Sequence, residues 1–183
     1  FLRIIDYKSS KRDIDLNQVY AGLQLQLFVY MNAILSSNKD RYKPAGLFYS
    51  DFTTNLVGFE TYSKMIDMND DSFYSEKLKR NKLTGFVIKD MELLKNLDKT
   101  LEENRLTSEI LPIKLKSKGQ EIGAGTLGLT TDEFEIVNEF VLNKTKDICE
   151  EIYDGNIDIK PFRYKDKKPC DYCKYKSICR FDV

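Results

Sequence analysis

A chain of 183 residues with 42% apolar side chains can bury a core of ordinary size, and its 29 basic and 29 acidic residues cancel. That balance neither favours nor opposes a nucleic-acid partner. The absence of histidine excludes more: within the chain there is no imidazole base, no histidine metal ligand and no Ser-His-Asp triad. Hydrolysis here would have to rest on carboxylates, lysine, tyrosine and metal. No apolar run is long enough to span a bilayer and no signal-peptide pattern appears, so a cytoplasmic setting is expected. No linker divides the chain, which reads as one domain over 1–183 with a distinct tail over 160–183. It opens on Phe1 inside an apolar run, the mark of a piece of a longer protein.

Phe1, Leu2, Ile4 and Ile5 form a short, nearly continuous apolar run, the pattern of a strand buried on both faces. The run ends in Asp6-Tyr7-Lys8. Side chains two apart on a strand share a face, so the carboxylate and the ammonium project together. A hard divalent cation needs oxygen ligands, and a hydrolytic water needs a neighbour to orient it. Asp-x-Lys supplies one of each. The triplet recurs at Asp158-Ile159-Lys160 and Asp166-Lys167-Lys168, so by itself it discriminates little.

The residues after the first copy set it apart. Asp15 and Gln18 have the spacing of a capping pair. Leu16, Val19, Tyr20, Leu23, Leu27, Met31 and Ile34 then recur at helical spacing, which predicts one helix from near Leu16 to near Leu35. Gln26 and Tyr30 are neighbours on that helix and continue the stripe of Val19 and Leu23. An amide in an apolar stripe needs hydrogen-bond partners, and the end of the preceding strand could supply them.

Further along, Pro44 opens a second strand, AGLFYSDF, and residues 53–71 read as a loop. A short helical stretch is expected over 73–80, then GFVIKD leads into a helix near MELLKNLDKTLE. ILPIKLK alternates as a strand would, with Pro112 placing its start on an edge. Gly123, Gly125 and Gly128 satisfy G-x-G-x-x-G, yet a polar run precedes them and the helix begins only after Thr130. That context reads as a flexible loop rather than a dinucleotide site. Thr130 and Glu133 form a capping box for a long helix buried through Phe134, Val137, Val141, Ile148 and Ile152 and stopping at Gly155. Cys149, beside that stripe, reads as a small buried hydrophobe, and IDIKPF as a final short strand.

From Lys160 to Arg180 there are eight basic residues against two acidic ones, interleaved with Phe162, Tyr164, Tyr172 and Tyr175. That composition suits phosphate contact and base stacking, with Lys167 and Lys168 as candidate DNA contacts, and equally suits a solvated surface. Cys170, Cys173 and Cys179 form C-x2-C-x5-C, a spacing at which thiolates commonly share a metal centre. Three ligands are one short, and Cys149 could complete a zinc site.

A strand ending in Asp6-Tyr7-Lys8, followed by Gln26-x-x-x-Tyr30 on a helix, resembles the core of the RecB-like PD-(D/E)XK nucleases. Within that family DYKSS, VYAGLQLQLFVY, PAGLFY and PCDYCKYKSICRFD are most similar to the AddB-type (RexB-like) nuclease domains of bacterial helicase–nucleases. The likeness reaches both ends of the chain, and residues 53–121 add little to it.

The resemblance implies an α/β, restriction-endonuclease-like fold, a mixed sheet flanked by helices with a cysteine-bearing tail. It implies a Mg²⁺-dependent DNA exonuclease working beside an AddA-type helicase subunit in double-strand-break repair and recombination. Asp6 would be a metal ligand, assisted by the Tyr7 backbone carbonyl. Lys8 would orient water or stabilise developing charge, positioned with the help of Gln26 and Tyr30. Cys170, Cys173 and Cys179 would be three ligands of a [4Fe–4S] cluster, the fourth lying before Phe1 together with a second metal-binding Asp. On that basis the chain alone would be inactive. The same features also fit a stand-alone CRISPR-associated iron–sulfur exonuclease or a non-catalytic DNA-binding iron–sulfur module.

Overall fold

The computed structural model describes residues 1–38, 41–51, 63, 75, 78–101, 106–116, 121–164, 168–179 and 181. In chain order these form β1 (Leu2–Lys8), α1 (Leu16–Tyr20), α2 (Gln26–Ser37), β2 (Pro44–Asp51) and β3 (Thr84–Ile88). There follow α3 (Met91–Leu97), β4 (Gly128–Leu129), α4 (Thr131–Tyr153) and, in the tail, the short α5 (Lys176–Cys179). Single 3-10 turns sit at Lys99–Leu101 and Pro169–Tyr172. The loop and most of the helical stretch expected between 53 and 80 lie outside the described residues, although Leu78, Lys79 and Arg80 are helical.

The described strands make one mixed sheet in the order β1-β2-β3-β4. β1 runs parallel to β2, β2 antiparallel to β3, and β3 parallel to β4. Alternation along each strand gives the sheet two apolar faces. Leu2, Ile4, Leu47, Tyr49, Phe86 and Ile88 meet α2 and α4 on one side. Ile5, Phe48 and Val87 meet α3 on the other, together with Leu111, Ile113 and Leu115. Phe28, Phe86 and Phe134, from α2, β3 and α4, lie with ring centroids 5.7 to 6.3 Å apart, so both helices are seated on the sheet through one aromatic cluster. This is the α/β mixed sheet flanked by helices that the resemblance implied.

Gly85 is where the sheet is tightest. Its φ of +137° is closed to most side chains, and a Cβ there would run into the Leu47 carbonyl oxygen. β2 and β3 can therefore close on each other only over a glycine.

Several expectations need correction. β1 is not buried on both faces: it is the edge of the described sheet, its side chains are half-buried or exposed, and Tyr7 is 58% exposed. The single helix from Leu16 is two helices. Gly22, at φ +83°, ends α1 with its N–H on the Val19 carbonyl, while the Leu23 N–H reaches that of Gln18. ILPIKLK does not form a strand. The chain turns back around Pro112, with the Ile113 N–H on the Leu111 carbonyl, and leaves only isolated bridges from Thr107 to Lys114 and from Leu115 to Ile122. The glycine run is only partly loop, because Gly128 pairs with Val87 in β4. IDIKPF is not a strand, and its residues are largely exposed.

α4 does begin at the Thr130–Glu133 capping box, with both reciprocal hydrogen bonds formed. It buries Phe134 and Val141, but its last turns leave the core: Ile148 is only half-buried, Ile152 is 72% exposed and Cys149 is exposed. Cys149 is thus not the buried hydrophobe that its place beside the stripe suggested.

Candidate active site at the ends of the first two strands

The parity that sends Leu2 and Ile4 into the core continues along β1 and brings Asp6 and Lys8 out on the same face, just past the apolar layer. In the parallel pairing Asp6 stands opposite Tyr49 and Lys8 opposite Asp51, so four polar side chains share one end of the sheet. The break at Gly22 redirects the chain, and α2 begins anew at Gln26 beside that end.

Lys8 is the hub. Its Nζ lies 2.7 Å from Asp6 Oδ2 and donates to Gln26 Oε1 at 2.9 Å. Gln26 Nε2 in turn donates to the Tyr30 hydroxyl at 2.8 Å. An ammonium has no lone pair to offer, so the amide must present its oxygen to Lys8 and its NH₂ to Tyr30, which fixes its orientation. All four residues expected to converge do so. Gln26 and Tyr30 are nonetheless exposed rather than part of the buried stripe, which the break at Gly22 interrupts before α2 starts afresh at Gln26. Their partners lie at the rim of the core.

The ion pair between Lys8 and Asp6 is close but misaligned for a hydrogen bond. Asp6 Oδ2 is buried and has no hydrogen-bond partner among the described residues. A buried carboxylate oxygen without a donor is costly unless something else meets it. Mg²⁺ takes oxygen ligands in octahedral geometry, retains several waters and commonly binds through one or two carboxylates. The Asp6 carboxylate, whose buried Oδ2 has the Lys8 ammonium 2.7 Å away without a hydrogen bond, is the donor type that such an ion takes.

Tyr49 is the residue that sequence reasoning missed. It is 5% exposed, and its ring centroid lies 5.8 Å from Lys8 Nζ. Burial pushes its phenol above the ordinary value; Asp6 adds to that rise, while Lys8 and Arg12 oppose it. Arg12 is near because the Thr84 hydroxyl donates to its carbonyl and ties the loop after β1 across the strand ends. The one available signal was register: PAGLFYSD as a strand parallel to FLRIIDYK places Tyr49 and Asp51 beside Asp6 and Lys8.

That loop is held at its far end by Asp15, the N-cap of α1. The spacing of Gln18 suggests a reciprocal box with it. The Gln18 amide does approach Asp15 Oδ2, at 3.4 Å, but the Asp15 N–H is taken by Gln24 Oε1 instead. The Tyr164 hydroxyl also donates to Asp15 Oδ2, at 3.3 Å, joining the tail to the loop. Burial works to raise the Asp15 pKa, but hydrogen bonds from Asn17, Gln18 and Tyr164 outweigh it and hold the carboxyl below its ordinary value.

The tail is more open. Lys167 lies outside the described residues, and Lys168 precedes the Pro169–Tyr172 turn. Cys170 is half-buried and Cys173 and Cys179 are exposed, with the Tyr175 N–H donating to Cys173 Sγ at 3.4 Å. Among the described residues no three Cys, Asp or Glu side chains gather closely enough to hold a metal.

A strand-end Asp-x-Lys whose lysine is held by a Gln-x-x-x-Tyr helix on a mixed sheet defines a class of metal-dependent nuclease cores. The chain belongs to the PD-(D/E)XK nuclease superfamily, whose family model matches residues 1–180. It is 40% identical over its whole length to an ATP-dependent helicase/deoxyribonuclease subunit from Caldanaerobacter subterraneus subsp. tengcongensis. Proteins of the same name from Clostridioides difficile and Thermoanaerobacter pseudethanolicus are 37% and 39% identical to it, again over all of the chain. The chain spans about 15 to 16% of the length of these relatives.

Asp15 gives a test of how the loop is held. Asp15→Ala should destabilise the chain by about 1 kcal/mol at neutral pH, the usual cost of losing a helix N-cap. A carboxyl depressed in the folded state contributes stability that is present above its unfolded pKa, near 3.9, and is lost as pH falls through the lower folded value. Urea unfolding should thus show the wild-type advantage intact at pH 6 and shrinking below about pH 4. An advantage independent of pH would contradict this role for the carboxylate.

Proposed function

We propose that this chain is the nuclease part of a longer helicase–nuclease subunit and that it hydrolyses DNA phosphodiester bonds with Mg²⁺. The observation that carries the reading is the Lys8–Gln26–Tyr30 chain of hydrogen bonds with the Asp6 carboxylate 2.7 Å from the same ammonium. The names of the relatives favour a subunit that works with a helicase partner over a stand-alone exonuclease.

Asp6 and the Tyr7 main-chain carbonyl would hold the ion, with a further carboxylate supplied from outside the chain. When bound, Mg²⁺ polarises a phosphoryl oxygen and makes a bound water acidic enough to attack. The remaining work falls to side chains already in place. Lys8 donates one of its three N–H bonds to Gln26 and faces Asp6, and an ammonium so held retains donor capacity for a water or a phosphate oxygen. An ammonium preset in this way meets developing negative charge without reorganising. Tyr30 accepts from Gln26, so its own proton remains available to a phosphate, and its 47% exposure lets substrate reach it.

In the longer protein with its partner subunit, Asp6→Ala and Lys8→Ala should each abolish Mg²⁺-dependent cleavage and spare ATP hydrolysis. Gln26→Ala should slow cleavage by between about twofold and tenfold, the worth of one orienting hydrogen bond. A Lys8→Ala protein that cuts DNA at the normal rate would remove the nuclease assignment.

We also propose that Cys170, Cys173 and Cys179 supply three thiolates of an iron–sulfur centre whose fourth ligand comes from outside the chain. The C-x2-C-x5-C spacing and the N–H···S contact at Cys173 support this, since hydrogen bonds to the sulfurs are a common feature of such centres. Iron analysis of the longer protein should show the metal lost in Cys173→Ser and kept in Cys149→Ser. Iron lost with Cys149→Ser would make that exposed thiol the fourth ligand.

A further inference from the structure

Lys8 is held from three directions, and only two of them belong to the motif. From the first side comes Asp6 and from the second Gln26. On the third lies the Tyr49 ring, 5.8 Å from the ammonium to its centroid. A cation within about 6 Å of an aromatic face is drawn to the ring quadrupole. This ring is not a chance neighbour on the surface. Tyr49 pairs with Asp6 across the parallel β1–β2 ladder and with Thr84 across the antiparallel β2–β3 ladder, so backbone hydrogen bonding fixes it from both sides. It is 5% exposed and belongs to the core cluster that includes Phe28 and Phe86. The Thr84 hydroxyl bonds the Arg12 carbonyl and closes the loop over the same end of the sheet.

We infer that Tyr49 is a positioning residue for the reaction: its ring is the floor on which the Lys8 ammonium rests, keeping that ammonium between Asp6 and Gln26. The inference rests on the nuclease reading of Lys8. A lysine has four rotatable bonds, and a hydrogen bond to the oxygen of an exposed amide alone would leave it free to swing away. The apolar, weakly negative face of a fixed ring restricts it without competing for its protons. Because Tyr49 is buried, it does not reach the substrate itself, so its contribution falls on the chemical step and not on DNA binding.

The test uses the longer protein with its partner subunit and follows cleavage of a defined duplex. Tyr49→Leu should lower kcat by between about twofold and thirtyfold, the range a cation–ring contact spans, with KM for DNA unchanged. Tyr49→Phe keeps the ring and should retain most of the rate. A purely structural tyrosine would lower Tm in the leucine variant and leave kcat alone, and that result would overturn the inference. So would a phenylalanine variant as slow as the leucine one, which would place the role in the hydroxyl. Lys8→Ala serves as the control. If it still cuts, the nuclease reading fails; if it is inactive while Tyr49→Leu is as fast as wild type, only the Tyr49 assignment fails.

Discussion

The site depends on a single ammonium. Lys8 stands where a strand end, a helix start and a buried ring meet, and it has a different kind of partner in each: a carboxylate, an amide oxygen and an aromatic face. These partners act by different physics and do not substitute for one another. The carboxylate supplies charge, the amide direction and the ring restraint. Without Lys8 the Gln26 oxygen loses its donor and the Asp6 carboxylate its ion-pair partner. Much of the architecture serves to bring the three partners to one point.

Two backbone features do most of that. Gly85 lets β2 and β3 close on each other, which sets Tyr49 at the strand end. Gly22 breaks the helical stretch after Val19 and lets α2 start again beside Lys8, carrying Gln26 at its first position. The aromatic cluster of Phe28, Phe86 and Phe134 then anchors α2 two residues past Gln26. A side chain on a rigid element so close to its anchor is placed more precisely than one on a loop. The loop between β1 and α1 is free of that requirement and is held by polar contacts to Thr84, Gln24 and Tyr164.

The chemistry was more legible in the sequence than its scaffold. Asp6 and Lys8 could be paired because a strand has a period of two, and Gln26 with Tyr30 because residues four apart on a helix are neighbours. Neither inference needs tertiary structure. The Gly22 break was hidden because apolar residues keep helical spacing straight through it, so periodicity alone could not show that the helix ends and restarts. Tyr49 was hidden for another reason. In PAGLFYSD it is one more apolar residue, and only the register with β1 shows what it faces. ILPIKLK misled in the opposite sense: its alternation was real, but Pro112 turned the chain before a ladder could form. Cys149 misled because the apolar stripe of α4 outlasts the core that its first turns pack against.

The most direct test of the central claim is to locate the metal. Crystals of the longer protein grown with Mn²⁺ in place of Mg²⁺ would reveal the ion by anomalous scattering. A peak is expected about 2 Å from an Asp6 carboxylate oxygen. An anomalous peak elsewhere, with Asp6 unliganded in a protein that still cleaves DNA, would contradict a metal site built on Asp6.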